Sequence, residues 1–97
     1  MSGTGIREEV IKEIIALAQK HSVEKVILFG SRARGDYHRA SDIDLAVLGG
    51  NITEFSLDVE ELTSTLLTYD VVDLSKNLQP EFRASIEREG KLLYEKI

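Results

Sequence analysis

An α+β fold, with a small mixed β-sheet and helices packed on it, is what this chain predicts. Three observations carry that prediction. The chain opens on an amphipathic helical stripe. Two short apolar runs, Val26 to Phe29 and Ile43 to Leu48, lie close enough in sequence to be antiparallel neighbours. After them the pattern continues as helix, strand, helix, which is an α+β order rather than a strict βαβ alternation. Ninety-seven residues make one domain, 1–97, with a modest core.

Taken in order, Met1 to Gly5 lacks the apolar stretch of a signal peptide, and Ser2 to Gly5 is expected to be flexible. A helix should run from about Ile6 to His21. Ile6, Val10, Ile11, Ile14, Ile15, Leu17 and Ala18 fall on one apolar stripe, while Arg7, Glu8, Glu9, Lys12, Glu13 and Lys20 face away. His21 and Ser22 end it, and a charged turn at Glu24-Lys25 leads into the first strand. That strand, Val26-Ile27-Leu28-Phe29, ends on Gly30-Ser31. Gly30 permits a close approach that a Cβ would forbid, and Ser31 is a favoured helix N-cap, so the following N–H groups would point outward together. Such a turn suits a phosphate.

Asp36 to Ala40 has no clean periodicity and reads as a loop or short helical turn. In the next strand, side chains alternate, which puts Asp42 and Asp44 on one face and Ile43, Leu45 and Val47 on the other. Same-face neighbours sit roughly 6.5–7 Å apart at Cα, so the two carboxylates can lean inward and share hard cations. Two cations roughly 3.5–4 Å apart are the arrangement that clamps an in-line phosphoryl displacement. Two ions need more oxygens than two aspartates offer. Asp73, which interrupts the apolar run Tyr69 to Leu74, is taken as the third ligand, with Asp70 as its nearest rival. Asp73 is alternatively a strand-end residue that caps the turn at Ser75-Lys76.

Gly49-Gly50-Asn51 breaks the chain, and Thr53 is the expected N-cap of a helix to about Leu67, with Phe55, Val59, Leu62, Leu66 and Leu67 inward. Asp58, Glu60 and Glu61 form its exposed acidic face. After the third strand and the turn Ser75-Lys76-Asn77, a helix begins near Pro80, where a missing N–H costs nothing, and buries Phe82, Ile86 and the stem of Arg83. Gly90 fits a C-terminal cap, and Leu92-Leu93-Tyr94 adds a short strand or packing arm.

Each element of the site has a plain structural rival. Gly-Ser pairs at strand ends are common, and alternating acids are usually a solvated strand face; the combination of Gly30-Ser31, Asp42, Asp44 and a later aspartate is what is specific. Arg32 and Arg34 can each fork onto a triphosphate or hold the acidic cluster as an ion pair, and Arg34 is preferred for the site. Ser41 either donates to a phosphate or simply starts the strand. His21 and His38 are isolated and receive no role. The absence of a P-loop lysine and of Gly-x-Gly-x-x-Gly excludes the P-loop and Rossmann readings.

These residues carry a resemblance. Gly30-Ser31, a short linker, then Asp42-Ile43-Asp44 is similar to the signature of the polymerase beta-type nucleotidyltransferases, and Gly30-Ser31-Arg32-Ala33-Arg34-Gly35 followed by Ser41-Asp42-Ile43-Asp44-Leu45 looks most like the minimal nucleotidyltransferases of prokaryotes. The order of elements over nearly the whole chain agrees, and no motif position departs. The resemblance implies the polymerase beta-like fold, ATP as substrate, two Mg²⁺ ions on Asp42, Asp44 and Asp73, and Gly30, Ser31, Arg34 and Ser41 around the nucleotide. It also implies a HEPN-domain toxin as partner, silenced by transfer of AMP to a hydroxyl, with tyrosine the expected acceptor. The alternatives are transfer to a small-molecule hydroxyl and a binding module that acts by contact alone.

Composition sets the remaining bounds. A net charge of −5 disfavours a surface built to grip long nucleic acid. There is no cysteine, hence no disulfide framework or thiolate chemistry. No run reaches the length of a membrane span, and a cytoplasmic protein is the expectation. A chain this small has no room for a separate acceptor pocket, so a partner or a second copy is expected to complete the site, as a homo- or hetero-oligomer.

Overall fold

The computed structural model describes residues 3–97. Helix α1 spans Glu8–Lys20 and buries Val10, Ile11, Ile14, Leu17 and Ala18, so the predicted stripe is the packed face. Strand β1, Lys25–Phe29, follows; then the single-turn helix α2, Ser31–Arg34, and strand β2, Ile43–Leu48. Helix α3 covers Ile52–Leu62, strand β3 Tyr69–Asp73, helix α4 Pro80–Glu89 and strand β4 Lys91–Glu95. The sheet order is β3-β2-β1-β4. β1 is antiparallel to both β2 and β4, whereas β3 lies parallel to β2 because α3 carries the chain back over the sheet.

The sheet has two unequal faces. On one, Val26, Leu28, Ile43, Leu45, Val47 and Tyr69 pack against α1 and, through Phe55 and Val59, against α3. Each fully buried side chain of this kind contributes about 1.5–3 kcal/mol. On the other, Phe29, Ala46 and Ile86 form a small core under α4, flanked by Ile27, Val72, Leu74 and Leu78. Because α4 covers only part of that face, the sheet remains open at the start of β2 and β3. The aspartates stand there.

Several expectations are corrected. Thr4 is fully buried, its Oγ1 accepts from the Ile6 N–H at 3.2 Å, and its carbonyl accepts from Arg32, so within the described residues Gly3 to Gly5 is a tethered arm. Ser2 lies outside the described residues. The N-cap of α3 is Asn51, which accepts from the Glu54 N–H at 3.2 Å, two residues before the expected Thr53. That helix ends at Leu62, not Leu67. Thr63 donates to the Val59 carbonyl at 2.5 Å, and the Glu13 carboxylate takes the Ser64 N–H and hydroxyl at 2.8 and 2.7 Å. Ser64 thus finds in Glu13 a partner that a continuing helix would deny its backbone N–H. Leu62 and Leu66, expected in the core, are 56% and 103% exposed as a result.

Asp58 faces inward rather than out. His21 Nε2 sits 2.7 Å from its carboxylate, so His21, given no role in the sequence, ties the end of α1 to α3. That hydrogen bond holds the Asp58 carboxyl below its ordinary value. Gly90 is the C-cap of α4 as expected, its N–H donating to the Ile86 carbonyl with extended backbone, and a Cβ there would lie 2.4 Å from Ile27 Cγ2.

Candidate active site

Asp44 is the centre of the site, and its neighbours follow from register. In the antiparallel pair it stands opposite Phe29, so the Gly30-Ser31 turn begins beside it. Gly30 has φ 75°, and a Cβ there would fall 2.1 Å from Asp44 Oδ2. Only glycine lets the carboxylate lie against this turn. Gly30 also caps α2: the Ala33 and Arg34 N–H groups both return to its carbonyl at 3.1 Å, while the first-turn N–H groups of Ser31 and Arg32 have no intrahelical acceptor. These donors and the carboxylate share one corner of the sheet.

On its other side Asp44 pairs with Asp70 in the parallel β2–β3 register. Asp42, two residues earlier, lies on the same side of the strand. Burial raises the Asp44 carboxyl above its ordinary value, and the charges of Asp70 and Asp42 push the same way, against the weaker pull of Arg34 and Arg32. Three carboxylates therefore crowd one another at the open corner. Asp42 is turned aside to accept a short hydrogen bond from the Thr68 hydroxyl.

The structure does not bring Asp73, the expected third ligand, to the other two aspartates. Asp73 pairs with Val47, not Asp44, which sets it three residues along the sheet. Odd-numbered residues of β3 face the α1 and α3 side, and Asp73 lines a hollow there with Ile52, Thr53, Ser56, Leu57, Val71 and Lys76. Its Oδ1 accepts the Ser75 N–H at 2.9 Å and hydroxyl at 2.6 Å, which hold the carboxyl below its ordinary value. Asp73 caps a turn. Asp70, the rival, is the residue brought to Asp44 and Asp42.

The other expected site residues divide. Gly30 and Ser31 form the turn that lies against Asp44. Arg34 is half-exposed next to the cluster, with Nε 3.3 Å from Asp36 and Nη1 3.8 Å from Glu89. Ser41 is engaged in its own loop: its Oγ accepts the His38 N–H at 2.8 Å and its carbonyl accepts from Arg32 Nε at 3.0 Å. It lies in the loop two residues before β2. Beyond Asp42 and Thr68, a shallow cleft of about 680 Å³ opens between Arg7, Arg39, Ala40 and the segment Thr63 to Leu67.

The donor set suits a hard cation. All of it is oxygen, it is crowded with like charge, and no soft ligand is available because the chain has no cysteine. Among the described residues no three acidic or imidazole side chains converge tightly enough to hold a metal ion as they stand.

Comparison with known proteins bears on this site. The sequence profile of the family described as "Polymerase beta, Nucleotidyltransferase" matches residues 12–97. A Methanocaldococcus jannaschii protein named as a candidate protein adenylyltransferase is 36% identical over 99 residues, covering 90% of this chain and 97% of that relative. Among solved structures, a toxin–antitoxin crystallised with AMP-PNP superposes with a TM-score of 0.70 at 29% identity, covering 89% of this chain and 73% of the other. A structure described as a candidate minimal nucleotidyltransferase gives a TM-score of 0.66 at 29% identity, over 84% of this chain and 86% of the other.

Proposed function

Because the chain belongs to the polymerase beta nucleotidyltransferase family, we propose that it transfers AMP from ATP to a hydroxyl on a partner protein, with Asp42, Asp44 and Asp70 as its catalytic carboxylates. The observation that carries this reading is the register that sets Asp70 beside Asp44, directly against the Gly30-Ser31 turn. Neither feature is needed for packing. A half-buried aspartate whose charge is opposed by two neighbours weakens the fold of the free protein, and it is understandable as part of a reaction centre.

Asp42, Asp44 and Asp70 would hold Mg²⁺. When bound, the metal neutralises charge that develops on the triphosphate and its leaving group. The chain's own groups do the rest. Gly30 lets backbone approach the phosphates, and the Ser31 and Arg32 N–H groups and the Ser31 hydroxyl orient them. Arg34 adds a guanidinium fork once it leaves Asp36 and Glu89. The acceptor oxygen forms a bond to the α-phosphorus, the bond to the bridging oxygen breaks, and pyrophosphate leaves with its electron pair. The hydroxyl proton passes to Asp70, which lies on the exposed edge strand nearest the incoming acceptor.

The cleft beside Asp42 and Thr68 supports a protein acceptor. It is open to solvent and presents the fully exposed Leu66, an apolar contact that a protein acceptor would cover. A HEPN-domain toxin, modified on a tyrosine, fits the likeness to the toxin–antitoxin structure. The test is to mix the chain with such a partner, ATP and Mg²⁺, and weigh the partner's peptides. A gain of one AMP on a tyrosine, absent with Asp44→Asn, is expected. Silencing of the partner without any mass change would favour action by contact alone.

A further inference from the structure

Arg32 is the largest side chain that is fully buried, at 1% exposed, yet its partners are backbone carbonyls rather than a carboxylate. Nε donates to the Ser41 carbonyl at 3.0 Å, Nη1 to the Thr4 carbonyl at 2.9 Å and Nη2 to the Arg39 carbonyl at 3.1 Å. The Tyr37 ring lies 4.8 Å from its guanidinium carbon. Every face of the group is used.

We propose that Arg32 is a positioning residue for the catalytic carboxylates: by joining the N-terminal arm at Thr4 to the loop at Arg39 and Ser41, it fixes where Asp42 enters the site. The inference rests on the reading of Asp42, Asp44 and Asp70 as the ligand set.

Between the end of α2 and the start of β2 at Ile43, the chain has no regular structure, and Asp42 is its last residue. A carboxylate at the end of an unpaired loop samples many positions unless the backbone just before it is held. The Arg32 fork holds that backbone at Ser41, one residue from Asp42, and again at Arg39. A lysine, with one compact charge, cannot reach three carbonyls in different directions. Burying a guanidinium without a counter-ion is also costly, and an apolar side chain of similar volume would fill the space more cheaply. What the apolar residue would lose is the loop's fixed path. The buried charge has a second effect, since it acts on Asp44 against the repulsion of Asp70 and Asp42.

The arm is shaped for this contact. Gly5 has φ 71°, and a Cβ there would lie 2.5 Å from the Tyr37 ring and 2.7 Å from Arg32 Nη1. Gly5→Ala thus displaces the clamp without altering a polar group, and it carries the test where Arg32→Lys fails to fold.

The experiment pairs two readouts on the full chain: amide hydrogen exchange of residues 36–42, and binding of Mn²⁺ with ATP followed by electron paramagnetic resonance. The expected result in both variants is faster exchange in that loop with β1 and β2 unchanged, together with Mn²⁺ binding weakened roughly 10–100-fold, the usual cost of losing an outer partner of a metal site. Methylguanidinium should restore part of the binding to Arg32→Ala. Unchanged loop exchange overturns the proposal, and so does a loosened loop with Mn²⁺ affinity intact. A wild-type chain that binds no Mn²⁺ with ATP overturns the underlying site reading instead, and the wild-type titration alone reveals it.

Discussion

Asp70 stands directly beside Asp44 across the parallel β2–β3 pair, while Asp73 stands beside Val47 on the opposite face of the same sheet. Three residues separate the two acids in sequence; in the fold, one stands in the proposed reaction centre and the other caps a turn. Asp70→Asn should therefore reduce nucleotidyl transfer by more than roughly 100-fold, beyond what an outer partner of a metal site costs. Asp73→Asn should leave it within a few-fold of wild type, and steady-state rates of both variants check the pair.

Gly30→Ala should inactivate as thoroughly as loss of Asp44 and also destabilise. Its Cβ would overlap Asp44 Oδ2, and its φ of 75° with ψ of −158° is a region essentially reserved for glycine, costing a residue with a side chain about 1–3 kcal/mol. Urea unfolding together with the transfer assay separates the two effects.

The stability of the metal-free chain should carry the mark of the crowded aspartate. The folded Asp44 carboxyl is raised above its ordinary value of 3.8. Between the unfolded and folded values the native state holds more protons, so stability falls as pH rises through that window. Asp44→Asn should accordingly melt higher than wild type at pH 7 and no higher below the carboxylate range. Mg²⁺ should raise the melting temperature of wild type alone.

Leu66 tests the acceptor side. It is fully exposed at the cleft beside Thr68, so Leu66→Asp should leave stability within about 0.5 kcal/mol of wild type. Nucleotide binding should persist while transfer to the partner protein falls, and a plot of rate against partner concentration would place the loss in acceptor affinity.

Much of this was legible in the residues. The α1 stripe, both strands around the Gly30-Ser31 turn and the alternation of Asp42 and Asp44 are local patterns, and local patterns survive folding. The third carboxylate was not, because Tyr69-Asp70-Val71-Val72-Asp73 has apolar residues on both faces and its parity against β2 is set only by the parallel pairing. The end of α3 was misplaced because Ser64 is capped by Glu13 from a different helix, a contact no window around Thr63 contains. Arg32 stays open in sequence between a triphosphate and an ion pair with the acidic cluster, because its three carbonyl partners come from a loop and an arm that meet only in the fold.

The most direct measurement compares ATP labelled at the α-phosphate with ATP labelled at the γ-phosphate, each with Mg²⁺ and the partner protein, for wild type and Asp44→Asn. The site predicts that α-label alone passes to the partner, that pyrophosphate is released, and that Asp44→Asn transfers nothing. Transfer of γ-label, or equal α-labelling by Asp44→Asn, would contradict it.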